Sequence, residues 1–236
     1  MDRRDLQAGR RPGGFWHRAR LGLVARLLQQ EVTVGPSRIL SLGCGTGTEL
    51  AALSTWGPVT AVDHDRQALA LLSRPDCSAV SLADVSALPF AAACFDVAVA
   101  LDVLEHVGDD HRAVDQVLRV LRPGGLLLVT VPAMPGLFGP HDRALGHCRR
   151  YDRQAVRRLL AHTAGLQVRG WNGLLLPAIA LRRYGQRGAA ARIEAAEYPS
   201  WLDRALGGVL NLESCLLARG WGPPLGLSWV AWGRRR

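Results

Sequence analysis

The chain has 236 residues, 48% hydrophobic, and 29 Lys+Arg against 20 Asp+Glu give a formal charge of +9. That length fits one domain with an added cap better than two full ones, and no apolar run of ~18 residues marks a membrane span. Cys44, Cys77, Cys94, Cys148 and Cys215 are scattered without CxxC or Cys/His spacing, which argues for a reducing compartment and against a disulfide framework or a zinc site. The basic surplus lies partly at the ends, at Arg3, Arg4, Arg10, Arg11 and Arg234 to Arg236. It lacks aromatic interleaving or a nucleic-acid motif, so no nucleic-acid partner is expected.

The opening segment, residues 1–14, reads as a polar, disordered tail without the apolar stretch of a signal peptide, and a cytoplasmic location follows. Residues 15–236 read as one domain, with an N-terminal helix over 15–35 and a core over 36–132. Within the core, apolar β-like runs alternate with helical patterns, as a doubly wound parallel sheet requires. Ile39 to Leu42 is a short buried strand, and a helix over Thr46 to Trp56 follows. Val59 to Val62, Ala79 to Leu82 and Phe95 to Leu101 are the next strands, with helices predicted over Arg66 to Ser73 and Asp109 to Leu121. Pro123-Gly124-Gly125 turns into the fifth strand, LLLVTV. Residues 133–150 form a Gly-, Pro-, His- and Arg-rich loop, too long for a plain connector. A helix over Arg153 to Ala164, a strand over Leu166 to Trp171 and helices over Leu174 to Gly185 and Trp201 to Ala218 follow. Gly226 to Trp232 is the last strand. The fold class is thus α/β, a Rossmann-like and mostly parallel seven-stranded sheet. Residues 133–225 supply a substrate loop and a helical cap inserted before the final strand, and 226–236 end in a basic tail.

Gly43, Gly45 and Gly47 fall at a strand-to-helix turn, where glycine lets the chain turn sharply and backbone amides approach a ligand. The pattern is GxGxG, and Thr48 stands where a dinucleotide fingerprint wants its third glycine, which leans away from NAD. Asp63, at the end of the second strand, is placed to accept from ribose hydroxyls. Asp84, past the third strand, can accept from an adenine amine while Val85 supplies an apolar edge. Leu101 and Asp102 end the fourth strand. Four such stations at the carboxyl ends of parallel strands describe a ligand crevice.

The segments ILSLGCGTG, AVDHD, LADVSALPF, FDVAVALDVLEHV and LRPGGLLLVTVP resemble the successive motifs of class I S-adenosylmethionine-dependent methyltransferases, most closely the type 11 or ubiquinone-methyltransferase-like group. The resemblance covers about residues 36–132. It implies S-adenosyl-L-methionine as cofactor and S-adenosyl-L-homocysteine as product. Gly43, Gly45 and Gly47 would contact the methionine end, Asp63 the ribose, Asp84 and Val85 the adenine, and Leu101 the sulfonium side, with Cys44 and His64 counted among the cofactor-binding residues. The FWHRAR opening resembles that of some bacterial members and puts Arg18 near the cofactor carboxylate.

On the substrate side, His106 follows the fourth strand, and the loop Pro140 to Tyr151 resembles an HD…GHxRRY stretch of some bacterial methyltransferases. His141, His147 and His106 are the candidate bases, with His141 preferred. Asp142, Arg149, Arg150 and Tyr151 are candidate substrate-binding residues, and the arginines favour an anionic acceptor. The alternative is that Asp142 pairs with Arg149 or Arg150 and merely pins the loop. The HD…H pattern lacks a further ligand cluster, so no metal is expected. The apolar, aromatic cap suits a small-molecule or lipid-like acceptor, a homodimer face or peripheral membrane contact. The expected activity is methyl transfer to oxygen or nitrogen. Another reaction of the same cofactor, such as cyclisation or decarboxylation, and a non-catalytic cofactor-binding subunit are the alternatives.

Overall fold

The structure, a computed structural model, describes residues 14–33, 35, 37–72, 76–185 and 198–236. The expected tail lies outside the described residues except for Gly14. In chain order the elements are α1 (Phe15–Glu31), β1 (Ile39–Leu42), α2 (Leu50–Ser54), β2 (Val59–Asp63), α3 (Arg66–Ala70), β3 (Ala79–Leu82), β4 (Phe95–Leu101), α4 (Asp110–Val120), β5 (Leu121–Pro132), α5 (Pro140–Leu145), α6 (Arg153–Leu159), β6 (Thr163–Trp171), α7 (Leu176–Gly185), α8 (Ser200–Ala218) and β7 (Ser228–Arg235).

The seven strands form one sheet in the order β3-β2-β1-β4-β5-β7-β6. Strands β1 to β5 run parallel, with Ile39 beside both Val59 and Val97, and β7 is antiparallel to both β5 and β6. All four residues of β1 are buried, because a central parallel strand is covered on both faces. The period of two then sorts its side chains. Leu40 and Leu42 join Ala98, Ala100, Leu127, Val129 and residues of α4 and α6 in one core. Ile39 joins Val59, Val97, Leu126, Leu128 and residues of α1, α2 and α8 in the other. The chain leaves β1 toward β2 and β3 on one side and later toward β4 and β5 on the other. That reversal opens a crevice at the carboxyl ends of β1 and β4.

Element existence matches the alternating pattern, while several boundaries move. The helix expected from Thr46 begins at Leu50, because Gly45 and Gly47 take left-handed φ values of +52° and +79° that no helix continues through. The long loop after β5 contains its own helix, α5. Strand β6 begins at Thr163 rather than Leu166, and β7 begins at Ser228 rather than Gly226.

The added helices lie between β6 and β7, and α8 docks on α1. Arg26 on α1 donates to Asn211 Oδ1 at 2.8 Å and Gln30 to the Ala218 carbonyl at 2.8 Å. Trp171, at the end of β6, is fully buried in this junction. Its ring lies 5.9 Å from that of Trp16 on α1, and its Nε1 donates to Ser214 Oγ on α8 at 3.1 Å. Trp171→Ala is therefore expected to lower stability by about 3–5 kcal/mol, through the cavity and the lost hydrogen bond, as read by urea denaturation. A loss below about 1 kcal/mol would show that the junction adds little.

Candidate active site

The turn after β1 is built by its glycines. Gly43 has φ +59°, and a Cβ there would lie 2.6 Å from Cγ2 of Val103, so both backbone conformation and space demand glycine. The loop is fastened to β2. Asp63 Oδ2 accepts from the Gly45 amide at 2.7 Å, and its Oδ1 accepts from the Asp65 amide at 2.8 Å. Each carboxylate oxygen keeps a second acceptor site, so Asp63 can hold the loop and still receive a hydroxyl. Cys44 is buried, its amide donating to the Val62 carbonyl at 3.0 Å. Burial, with the carboxylates of Glu49 and Asp63 nearby, pushes its thiol pKa far up, so it remains a neutral filler of the loop. Glu49 stands beneath the same loop, buried, with Ser41 Oγ donating to its Oε1 at 3.1 Å. Sequence reasoning missed it, because a glutamate just before a short helix looks solvated.

Asp84 caps the turn Val85–Ala87. Its Oδ1 accepts from both the amide and the hydroxyl of Ser86, and these bonds hold its carboxyl below its ordinary range. It is an exposed, ionised acceptor beside the buried Val85. His64 is exposed next to Asp63, its Nδ1 3.5 Å from Asp63 Oδ1. Leu101, at the end of β4, is buried.

Arg18 is placed differently from the expectation. Its guanidinium pairs with Asp203 on α8, whereas Arg20, buried, pairs with Asp102 at the end of β4. Two helix positions are about 200° apart, so only one of these arginines can face the sheet edge. Arg20 is the one that does. It also lies 4.6 Å from the centroid of the Trp16 ring, a cation–π contact. Asp102 itself holds φ +56°, a strained value for a non-glycine residue. Its amide donates to the Thr130 carbonyl at 3.0 Å, and its Oδ1 accepts from Thr130 Oγ1 at 3.1 Å.

The loop after β5 folds back onto the turn Leu104–His106. The Cys148 amide donates to the Glu105 carbonyl at 2.7 Å, and Arg149 donates to the Gly108 carbonyl at 2.7 Å. Asp142, fully buried, pins the loop. Its Oδ1 accepts from Arg150 Nε at 2.8 Å and faces His147 Nδ1 at 3.1 Å, and its Oδ2 accepts from the Gly139 amide at 2.9 Å. Arg150 also donates to the Ala133 carbonyl at 2.8 Å. Tyr151 Oη donates to Asp110 Oδ2 at 2.8 Å, and Arg149 pairs with the same carboxylate at 2.9 Å. Burial, with the bond to Asp110, pushes the Tyr151 pKa up. Asp142, Arg150 and Tyr151 thus brace the loop, and the pairing of Asp142 with Arg150 is the one named in the pinning alternative. Arg149 is paired with Asp110, and Arg143 on α5 is the exposed arginine of the loop.

The brace delivers His147 to His106, whose ring centroids are 4.7 Å apart at 89°. Glu105 completes this group: one ligand atom from each of the three residues lies within 4.8 Å of the others. His141 sits half-buried on α5 beside Asp142 and is not part of the group. Glu105 is fully buried, and burial next to Asp102 drives its carboxyl well above the ordinary range.

A family of methyltransferase domains matches residues 40–129, which span the glycine turn, Asp63, Asp84 and β4. An uncharacterized methyltransferase of a Mycobacterium species, strain KMS, is 34% identical over 144 residues, 59% of this chain and 57% of the relative. A probable S-adenosylmethionine-dependent methyltransferase of Mycobacterium tuberculosis is 38% identical over 96 residues, 40% of this chain and 35% of that one. Residues 40–129 are therefore similar to a methyltransferase domain, and the Mycobacterium tuberculosis relative is one described as S-adenosylmethionine-dependent. In solved structures, the YcgJ protein from Bacillus subtilis superposes with a TM-score of 0.62 at 17% identity, covering 93% of this chain and 99% of that one. That likeness establishes the fold. The chain spans about half the length of the curated relatives it matches. The matched methyltransferase segment stops at Val129, so the brace and the cap lie outside it.

Asp142→Ala would leave the Arg150 guanidinium buried without its carboxylate. Stability should fall by about 3–5 kcal/mol in chemical denaturation. A near-neutral result would mean that the loop is held by other contacts.

Proposed function

We propose that the chain transfers the methyl group of S-adenosylmethionine to oxygen or nitrogen of a small-molecule or lipid-like acceptor. The observation that carries this is the gathering of the glycine turn, Asp63 and Asp84 along one edge of the sheet, at the ends of neighbouring strands. The cofactor's ribose hydroxyls would share Asp63, its adenine amine would meet Asp84 beside Val85, and its ammonium would lie over the buried carboxylate of Glu49. Leu101 and the Arg20–Asp102 pair would border the sulfonium.

The chemistry is an in-line displacement. The acceptor's lone pair forms a bond to the methyl carbon as the carbon–sulfur bond breaks, and the electron pair returns to sulfur. Positive charge disappears at sulfur, so alignment and exclusion of water matter more than stabilising new charge. An oxygen acceptor also sheds a proton, and His141, His147 and His106 are the proposed recipients. The lipid-like character of the acceptor is supported by the cap, which exposes Leu174, Trp201, Leu212 and Trp221. The same surface would serve contact with a membrane or a second copy. Among the described residues, no helix is long and apolar enough to cross a membrane.

Calorimetric titration of the full chain tests the reading. S-adenosylmethionine and S-adenosylhomocysteine are expected to bind one per chain and NAD not at all. Asp63→Ala should weaken S-adenosylmethionine binding at least tenfold while the thermal transition stays cooperative. Preference for NAD, or undiminished affinity in Asp63→Ala, would remove the assignment.

A further inference from the structure

Among the described residues, the carboxylate of Glu105 is a buried polar group that the fold does not explain. It is fully buried, and no other residue donates a hydrogen bond to either of its oxygens. Arg20 is directed to Asp102, and Arg150 to Asp142 and the Ala133 carbonyl. Buried carboxylates are ordinarily paired or bound to a cation. Beside Glu105 stand the two imidazoles of His106 and His147.

The arrangement around these imidazoles has the marks of a ligand set. His147 Nδ1 faces Asp142 Oδ1 at 3.1 Å, which leaves Nε2 as its free ligand atom. Asp142 is itself fixed by Arg150 and the Gly139 amide. A carboxylate that orients a histidine in this way is the usual outer support of a metal-bound imidazole. The loop backbone sets the spacing as well, since the Cys148 amide is bonded to the Glu105 carbonyl at 2.7 Å. Donor atoms within 4.8 Å of one another would draw in to about 3.4 Å, by side-chain rotation, to share an ion with tetrahedral bonds of about 2.0–2.2 Å.

We propose that Glu105, His106 and His147 bind a divalent transition-metal ion of the zinc type at the carboxyl edge of β4. Two imidazoles and one carboxylate suit such an ion better than calcium or magnesium, and three protein ligands leave coordination positions open. The HD…H pattern in the sequence concealed the site. The aspartate in it supports a ligand, and the third donor comes from the turn after β4. Binding of the ion stands independently of methyl transfer. Its use rests on that reading: an oxygen-bearing acceptor could be held on the open positions, with His141 left to take the proton.

The test is titration of the full, chelator-stripped chain with Co²⁺, followed by visible absorption and by displacement with Zn²⁺. One equivalent should give a d–d band that Zn²⁺ abolishes. Glu105→Gln, which keeps the shape and removes the charge, and His147→Ala should each weaken binding at least tenfold. Cys215→Ser, which removes a thiol on α8 outside the group, should leave binding unchanged. Absence of the band, or equal affinity in Glu105→Gln and wild type with a preserved thermal transition, would overturn the site, as would loss of binding in Cys215→Ser alone. S-adenosylmethionine is titrated into the same samples. Failure there counts against the methyl-transfer reading and leaves the metal result standing.

Discussion

The hydrogen bond from the Gly45 amide to the Asp63 carboxylate is the constraint around which the cofactor edge is organised. A glycine turn alone is compliant, since its left-handed residues can open in several directions. By accepting from Gly45 with one oxygen and Asp65 with the other, Asp63 fastens the turn after β1 to the end of β2. The parallel register of β1 with β2 then sets the distance between the loop and the strand-end acid. Val103 closes the space over Gly43 from the other side, so the loop is held between β2 and the segment after β4. A rigid, amide-lined rim of this kind can grip a ligand without reorganising when it binds.

The opposite rim is built from carboxylates and cations held at low exposure. Arg20 and Asp102 pair where β4 ends, and Thr130 of the adjacent strand steadies Asp102. Asp142 gathers Arg150, His147 and the Gly139 amide, while Asp110 gathers Tyr151 and Arg149. Such buried pairs contribute less to stability than their Coulomb energies suggest, because each charge must first be desolvated. What they supply is position. The loop after β5 buries Pro140, Leu145 and Tyr151, and its directional polar contacts hold it against the turn after β4.

Much of the cofactor edge was legible in the residue order. Each strand of the core is a short apolar run, and each is followed by the glycine, aspartate or apolar residue that its carboxyl end presents. The sequence spacing from Gly43 to Asp63 to Asp84 therefore carries over into space, because every strand of the parallel set begins its crossing from the same edge. The loop 139–151 was not legible in this way. Its histidines, acids and arginines were recognisable as a group, and pinning by Asp142 was one of two readings left open by their order. Arg18 was placed near the cofactor through resemblance of the opening motif, and helix phase instead turns Arg20 toward Asp102.

The sequence by itself determined the α/β class, the strand run, the glycine turn and the two strand-end aspartates, because local periodicity and a parallel crossover suffice to place them. Tertiary structure decided the partners of Asp142, the pairing of Arg20 with Asp102, and the meeting of Glu105, His106 and His147. These contacts join segments far apart in the chain. Which of several chemically equivalent charges meet there depends on helix phase and loop docking, and no local pattern encodes either.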